Sequence, residues 1–149
     1  MGLRHMVFVE GISGAGKTTL LAALGSWRRD RFIYYDRGPW SRVVHARFEG
    51  HALTVRHAQR MIGSLQRISI VIHVLRPVDE VLQCRRLTRE RLEKEAEMYA
   101  TALGELPPAH LLEIHNSRLT PEDMLRQAQE QLATIAPLDV AAFLAESEA

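Results

Sequence analysis

Short runs of consecutive apolar residues alternate along this chain with stretches in which apolar residues recur every three or four positions, the signature of strands alternating with helices. Met6-Val-Phe-Val9 is the first run and reads as a buried strand; Leu20, Leu21, Leu24 and Trp27 then fall at helical spacing and predict a helix over about 18–29. Arg31-Phe-Ile-Tyr-Tyr35 is β-prone and stops at Asp36-Arg37-Gly38-Pro39, where Gly-Pro marks a turn. A short helix is predicted over 40–49, and Thr54 is placed to cap another that runs to about Leu65, with Val55, Ala58, Ile62 and Leu65 on one face. Ser69-Ile-Val-Ile-His-Val-Leu75 reads as the third strand. Pro77, Asp79 and Glu80 open a charged helix predicted to extend to about Leu103, with Pro107-Pro108 ending it. His110-Leu-Leu-Glu-Ile-His115 is the fourth strand, Thr120-Pro-Glu-Asp123 caps a helix over 121–135, and a short helix is expected after Pro137.

Strands separated by helices imply an α/β domain on a short parallel sheet flanked by helices, with ligands at the carboxyl ends of the strands. Right-handed crossovers put the 31–36 strand on one side of the first strand and the 69–75 and 110–115 strands on the other, in the order 2-1-3-4. Gly11, Asp36, Arg76 and Asn116 each follow a strand, so a site should assemble along one edge. The expected organisation is one domain over 1–136 and a tail over 137–149.

The run Gly11-Ile-Ser-Gly-Ala-Gly-Lys17-Thr18-Thr19 matches the phosphate-cradling pattern G-x-x-x-x-G-K-[ST] at every fixed position, and it lies between a strand and a helix as that chemistry requires. Successive backbone N–H groups over Gly11, Ser13, Gly14, Ala15, Gly16, Lys17, Thr18 and Thr19, with the free N–H groups of the helix start, form a concave site of positive potential for a triphosphate. Lys17 would reach the β- and γ-phosphates, and the Thr18 hydroxyl would enter a Mg²⁺ shell. The expected ligands are ATP and Mg²⁺. Asp36 is the second metal and catalytic candidate, because P-loop enzymes place an acid at the end of the strand beside the loop to orient Mg²⁺ and its water. Arg37 would grip the phosphate or hydroxyl end of an acceptor.

Composition adjusts this picture. The chain has 149 residues, 46% hydrophobic and 25% charged, enough for one core and one soluble domain. Its apolar stretches are strand-length, so no membrane partner and a cytoplasmic protein are expected. Of 19 basic residues only Lys17 and Lys94 are lysine, so an ammonium stands where the loop pattern asks for one although this chain otherwise uses arginine. Residues 1–76 carry 12 basic against 4 acidic side chains, and residues 77–149 carry 7 against 14. A basic half beside a P-loop suits a polyanionic partner, nucleotide or nucleic acid alike. His45, His51 and His57 lack zinc-site spacing, and the lone Cys84 reads as a small buried hydrophobe.

The sequence resembles the thymidylate kinase and deoxynucleoside kinase group through Val7-Phe-Val-Glu-Gly-Ile-Ser-Gly-Ala-Gly-Lys-Thr-Thr19, Asp36-Arg37-Gly-Pro-Trp-Ser41, Val71-Ile-His-Val-Leu-Arg-Pro-Val-Asp-Glu-Val81 and Leu111-Leu-Glu-Ile-His-Asn-Ser-Arg118. The resemblance implies that Asp36 and Arg37 serve Mg²⁺ and the acceptor, that the segment with Arg85, Arg86, Arg89 and Arg91 is a lid, and that Asn116 to Arg118 lie beside the adenine. Glu10 and Trp40 become substrate-side candidates, with Arg47, Phe48 and His51 as further places for a base to stack. The segment that such kinases usually carry between the P-loop helix and the Asp-Arg strand is missing here, and with it much of the usual base pocket. Ser13 and Gly14 replace the acid or arginine that thymidylate kinases tend to hold in the loop, so catalytic arginines would come from the lid. Arg85 and Arg89, four apart, are the candidates.

The leading expectation is a compact, phage-like Mg²⁺/ATP phosphotransferase acting on a deoxynucleoside monophosphate. A deoxynucleoside kinase and a nucleic-acid hydroxyl kinase remain alternatives, as does an NTP-binding switch without small-molecule transfer. Homodimerisation is compatible with all of them.

Overall fold

The structure is a computed structural model that describes residues 3–148. Four parallel strands, β1 His5–Glu10, β2 Phe32–Asp36, β3 Ser69–Leu75 and β4 His110–His115, form one sheet in the order β2-β1-β3-β4. The expected α/β architecture and strand order are therefore present. Val9 pairs with Asp36 and with Ile72, and Glu10 pairs with His73, which pairs in turn with Glu113. The inner strands β1 and β3 are buried on both faces, and this is why they read as continuous apolar runs.

Helix α1, Lys17–Leu24, and helix α6, Pro121–Ala133, pack together on one face of the sheet. Helices α2 (Pro39–Glu49), α3 (Ala52–Leu65) and α5 (Arg89–Glu105) cover the other, as right-handed crossovers require. On that face Trp40 of α2 meets Phe8 with ring centroids 5.7 Å apart, and Tyr99 of α5 meets His73 at 6.0 Å. A short helix α4, Val78–Cys84, follows β3, and α7, Val140–Glu148, closes the chain. Among the described residues no helix is long and apolar enough to cross a membrane.

Several elements differ from the sequence reading. Helix α1 stops at Leu24, where Gly25 returns its N–H to Leu21, and Trp27 instead stacks on Phe32 at 6.2 Å from a following turn. Helix α3 begins at Ala52 with Thr54 inside its first turn, so Thr54 does not cap it. The single charged helix expected from Pro77 to Leu103 is two helices: Arg85 is extended, and Thr88 starts α5 by accepting a 3.2 Å bond from the Arg91 N–H. Arg85 and Arg89 therefore do not share a helical face. Cys84 is exposed, because α4 ends there and turns its last residue outward. At α6 the capping box is complete, with Asp123 N–H on Thr120 Oγ1 at 3.1 Å and Thr120 N–H on Asp123 Oδ2 at 3.4 Å.

Candidate functional site

The loop between β1 and α1 is held in shape by partners from elsewhere in the chain. Gly16 has φ 105°, and a Cβ there would come within 2.7 Å of Asn116 Nδ2, which itself donates to Ala15 O at 2.7 Å. Glycine is required by both conformation and contact. Arg76, directly after β3, donates to Gly14 O at 2.9 Å, and Ser13 N–H donates to Glu95 Oε1 of α5 at 3.2 Å. The first bond of α1 runs from Leu20 N–H to Gly16 O at 3.0 Å, which leaves the N–H groups of its opening residues free to meet an anion.

Lys17 is folded inward. Its Nζ donates to Gly11 O and, at 2.8 Å, to Ile12 O, and it is only 8% exposed. Burial pulls its pKa down to about 8, and the nearby Arg37 adds to that; Glu95, Glu10 and Asp36 pull in the opposite direction. Around it lies a cavity of about 290 Å³ lined by Ser13, Gly14, Gly16, Lys17, Thr18, Thr19, Arg37, Arg76, Cys84 and Arg85. Three guanidinium groups and an ammonium thus face a cradle of backbone donors. Arg85 reaches over Gly14, where a Cβ would meet Arg85 Cγ at 3.1 Å. The buried Nε of Arg76 has no hydrogen-bond partner among the described residues.

Arg37 connects this cavity to a second. Its φ of 65° is left-handed, a conformation that costs a non-glycine residue about 1 kcal/mol or more, and its N–H is anchored on Val9 O at 3.3 Å. The second cavity, about 230 Å³, is lined by Ser13, Lys17, Arg37, His45, Leu87, Arg91 and Glu95. Burial lowers the His45 pKa, opposed by Glu95. Glu95 is 3% exposed and is the one carboxylate on that wall.

Two residues expected on the substrate side are buried. Trp40 is fully buried and donates Nε1–H to Leu106 O at 2.7 Å, so it is a core residue that ties α2 to the end of α5. Glu10 is also fully buried. Its Oε2 accepts from Ser41 Oγ at 2.6 Å, Ser41 contacts Tyr99 OH at 2.8 Å, and burial raises the Glu10 pKa to about 7. It lies at the N-terminus of α2, where Gly38 is needed because a Cβ would fall 2.5 Å from the Phe8 ring and 3.2 Å from Glu10 Oε1. Phe48 likewise goes into packing, under Arg91 and Lys94 at 5.2 and 5.4 Å. Arg47 and His51 pair with Glu105 and Glu49.

Arg89 is bound to Asp79 and sits 3.7 Å from Glu93, and it does not line the phosphate cavity. Arg118 is exposed, with φ 58° and its N–H on Glu80 Oε1 at 3.1 Å. Its neighbour Ser117 lines a 350 Å³ cavity with Leu75, Arg76, Pro77 and His115. Asp36 ends β2 exposed beside Arg37, and Thr18 is exposed at the start of α1. His45 and Glu95 line the second cavity although no local pattern in the sequence marks them; Arg76 was expected at a strand end on the site edge and Arg91 in the lid segment, but the cavities they line were not.

No family model matches the sequence, and neither does any curated protein. Among solved structures, a deoxyadenosine kinase from M. mycoides with bound dCTP aligns with a TM-score of 0.59 over 87% of this chain and 100% of that one, at 11% sequence identity. The chain has the fold of a P-loop kinase. At that identity the likeness is one of fold.

Proposed function

We propose that the protein is a phosphotransferase that moves the γ-phosphate of ATP to a deoxynucleoside monophosphate with the help of Mg²⁺. The observation that carries this reading is the shared wall between the two cavities: Lys17 and Arg37 face both the phosphate cradle and the adjoining cavity with Arg91 and His45. A phosphoryl group bound on the first side would meet an anionic acceptor held on the second. Phosphoryl transfer passes through a loose transition state with charge spread over the equatorial oxygens, so positioning and neutralisation dominate. Lys17 and Arg85 would neutralise the γ-phosphate, Arg76 would hold the loop through Gly14 O, and Arg37 would grip the acceptor. Arg89 would join the lid on release from Asp79, and Arg118 would flank the adenine. Thr18 and Asp36 supply the hard oxygen donors that suit Mg²⁺, which when bound would offset charge on the phosphate oxygens.

A second reading, transfer to the hydroxyl of a deoxynucleoside, is favoured by Glu95. A hydroxyl acceptor needs a proton acceptor, and Glu95 presents a carboxylate in the same cavity. The shared fold with a deoxyadenosine kinase is compatible with it. Transfer from radiolabelled ATP to a panel of deoxynucleosides, their monophosphates and oligonucleotides decides between these readings. Labelled diphosphates are the expected products. Labelling of nucleosides alone or oligonucleotides alone would overturn the monophosphate reading, and hydrolysis without transfer to any acceptor would indicate a nucleotide switch.

A further inference from the structure

A fourth cavity, about 460 Å³, opens beyond Arg37 at the free edge of β2. Its floor is the sheet face carrying Phe8 and Tyr35, and its walls include His45 of α2 and Met61 and Leu65 of α3. Phe8 and Tyr35, paired across β1 and β2, are stacked with centroids 5.3 Å apart and planes 25° from parallel, so one face of the Tyr35 ring is held against Phe8. Tyr35 and Met61, 36% and 43% exposed, are large apolar side chains left open to solvent in this one groove. Arg37 and His45 line both this groove and the cavity next to Lys17, so the two adjoin across these side chains.

We infer that the groove seats the base of the acceptor. The inference rests on reading the chain as a kinase and names the part of the substrate that the phosphate chemistry leaves unassigned. The cavity at the Lys17 and Arg91 end is cationic and the smaller of the two, and across Arg37 and His45 lies the larger, apolar slot with its aromatic face. A ligand that fills both has an anionic or hydroxyl head and a planar aromatic tail, as nucleosides and nucleotides do. The slot's volume lies within the range of small-molecule sites, about 300–1,000 Å³. Base stacking tolerates any nucleobase, so Tyr35 and Met61 set affinity. Polar side chains among its lining, Asp36 and Arg42 beside the shared Arg37 and His45, set preference among bases.

The test is steady-state kinetics on the full chain with the best acceptor from the panel of deoxynucleosides and monophosphates. Tyr35→Ala removes the stacking face, and Met61→Trp fills the slot from an exposed position on α3 that tolerates a larger side chain. Both should raise the acceptor KM by roughly 10- to 100-fold, as loss of one stacked base does, with the KM for ATP within about twofold of the wild type and with Tyr35→Phe restoring the acceptor KM. Transfer with an unmoved acceptor KM in both variants would overturn the groove assignment while leaving the kinase reading standing. Absence of transfer to every nucleosidic acceptor would overturn both. A change in oligomeric state by light scattering in Met61→Trp, in place of a change in KM, would make the groove a contact between copies and equally reject the base site.

Discussion

Lys17 shows how one side chain links burial to chemistry. Its ammonium satisfies loop carbonyls in the free protein and is partly discharged near pH 8, because desolvation disfavours the charge. Bound phosphates would favour the charged form and raise its pKa, so nucleotide binding above pH 8 should take up a proton. Calorimetric titrations with ATP in two buffers of different ionisation enthalpy measure this, and identical heats in both would contradict it. Lys17→Ala should lower transfer by on the order of 10²–10³ with the fold retained, as expected for the loss of one group that stabilises transition-state charge. Arg85 and Arg89 separate at the same scale. Arg85 leans over Gly14 in the cavity, whereas Arg89 is bound to Asp79 in the open. Replacing Arg85 by Gln should reduce kcat more than ten-fold at little change in ATP KM, and Arg89→Gln should have the smaller effect; equal losses would show that the lid rearranges to bring Arg89 in.

At the scale of the element, the start of α2 depends on a buried carboxyl. Glu10 has a pKa of about 7 in the folded chain against 4.5 ordinarily, so between those values the folded state holds a proton that the unfolded state has released. Stability should therefore fall as pH rises from about 4.5 through 7, by roughly 3 kcal/mol over the window. Glu10→Gln cannot titrate and preserves an acceptor for Ser41. It should flatten that slope and exceed the wild type in stability at pH 8, measured by urea unfolding at pH 5, 6.5 and 8. A parallel pH slope in the variant would place the titration elsewhere. Glycine at 38 has a similar origin, because the loop entering α2 passes too close to Phe8 and Glu10 for any side chain.

For the whole molecule the decisive residue is Arg37, which lines three of the cavities described above. Its left-handed backbone is maintained against strain, as is common where a side chain must be aimed at a ligand. Arg37→Ala should weaken monophosphate binding by roughly 2–5 kcal/mol and leave nucleoside binding far less affected, because only the monophosphate loses a charged partner. Acceptor KM values for matched nucleoside and monophosphate check this, and an equal change in both would remove Arg37 from the phosphate. Salt adds a second discriminator. Transfer to a mononucleotide should respond weakly to ionic strength, whereas an oligonucleotide acceptor bound by several arginines would lose affinity steeply.

The alternation of apolar runs with helical periodicity was enough to give four parallel strands in the order β2-β1-β3-β4, and the spacing of Gly11, Gly16, Lys17 and Thr18 was enough to place a glycine-rich turn between β1 and α1. Both are local properties: a strand or turn is written in neighbouring residues, and right-handed connection restricts how strands are ordered. The break at 85–88 was also local, in the Thr88 cap, but the surrounding charged residues have helical propensity that conceals it. That Arg76 and Asn116 fall on the edge of the loop was legible from their places after strands; what tertiary structure alone decided was which groups meet there. Glu95 reaches Ser13 from 82 positions away, Arg76 holds Gly14 from 62, and Asn116 holds Ala15 from 101. Trp40 and Glu10, beside recognisable motifs, were turned inward by the packing of α2 and α5 on the sheet. Sequence periodicity fixes which face of an element is apolar, but the depth at which a residue sits and the charges it meets depend on how distant elements stack.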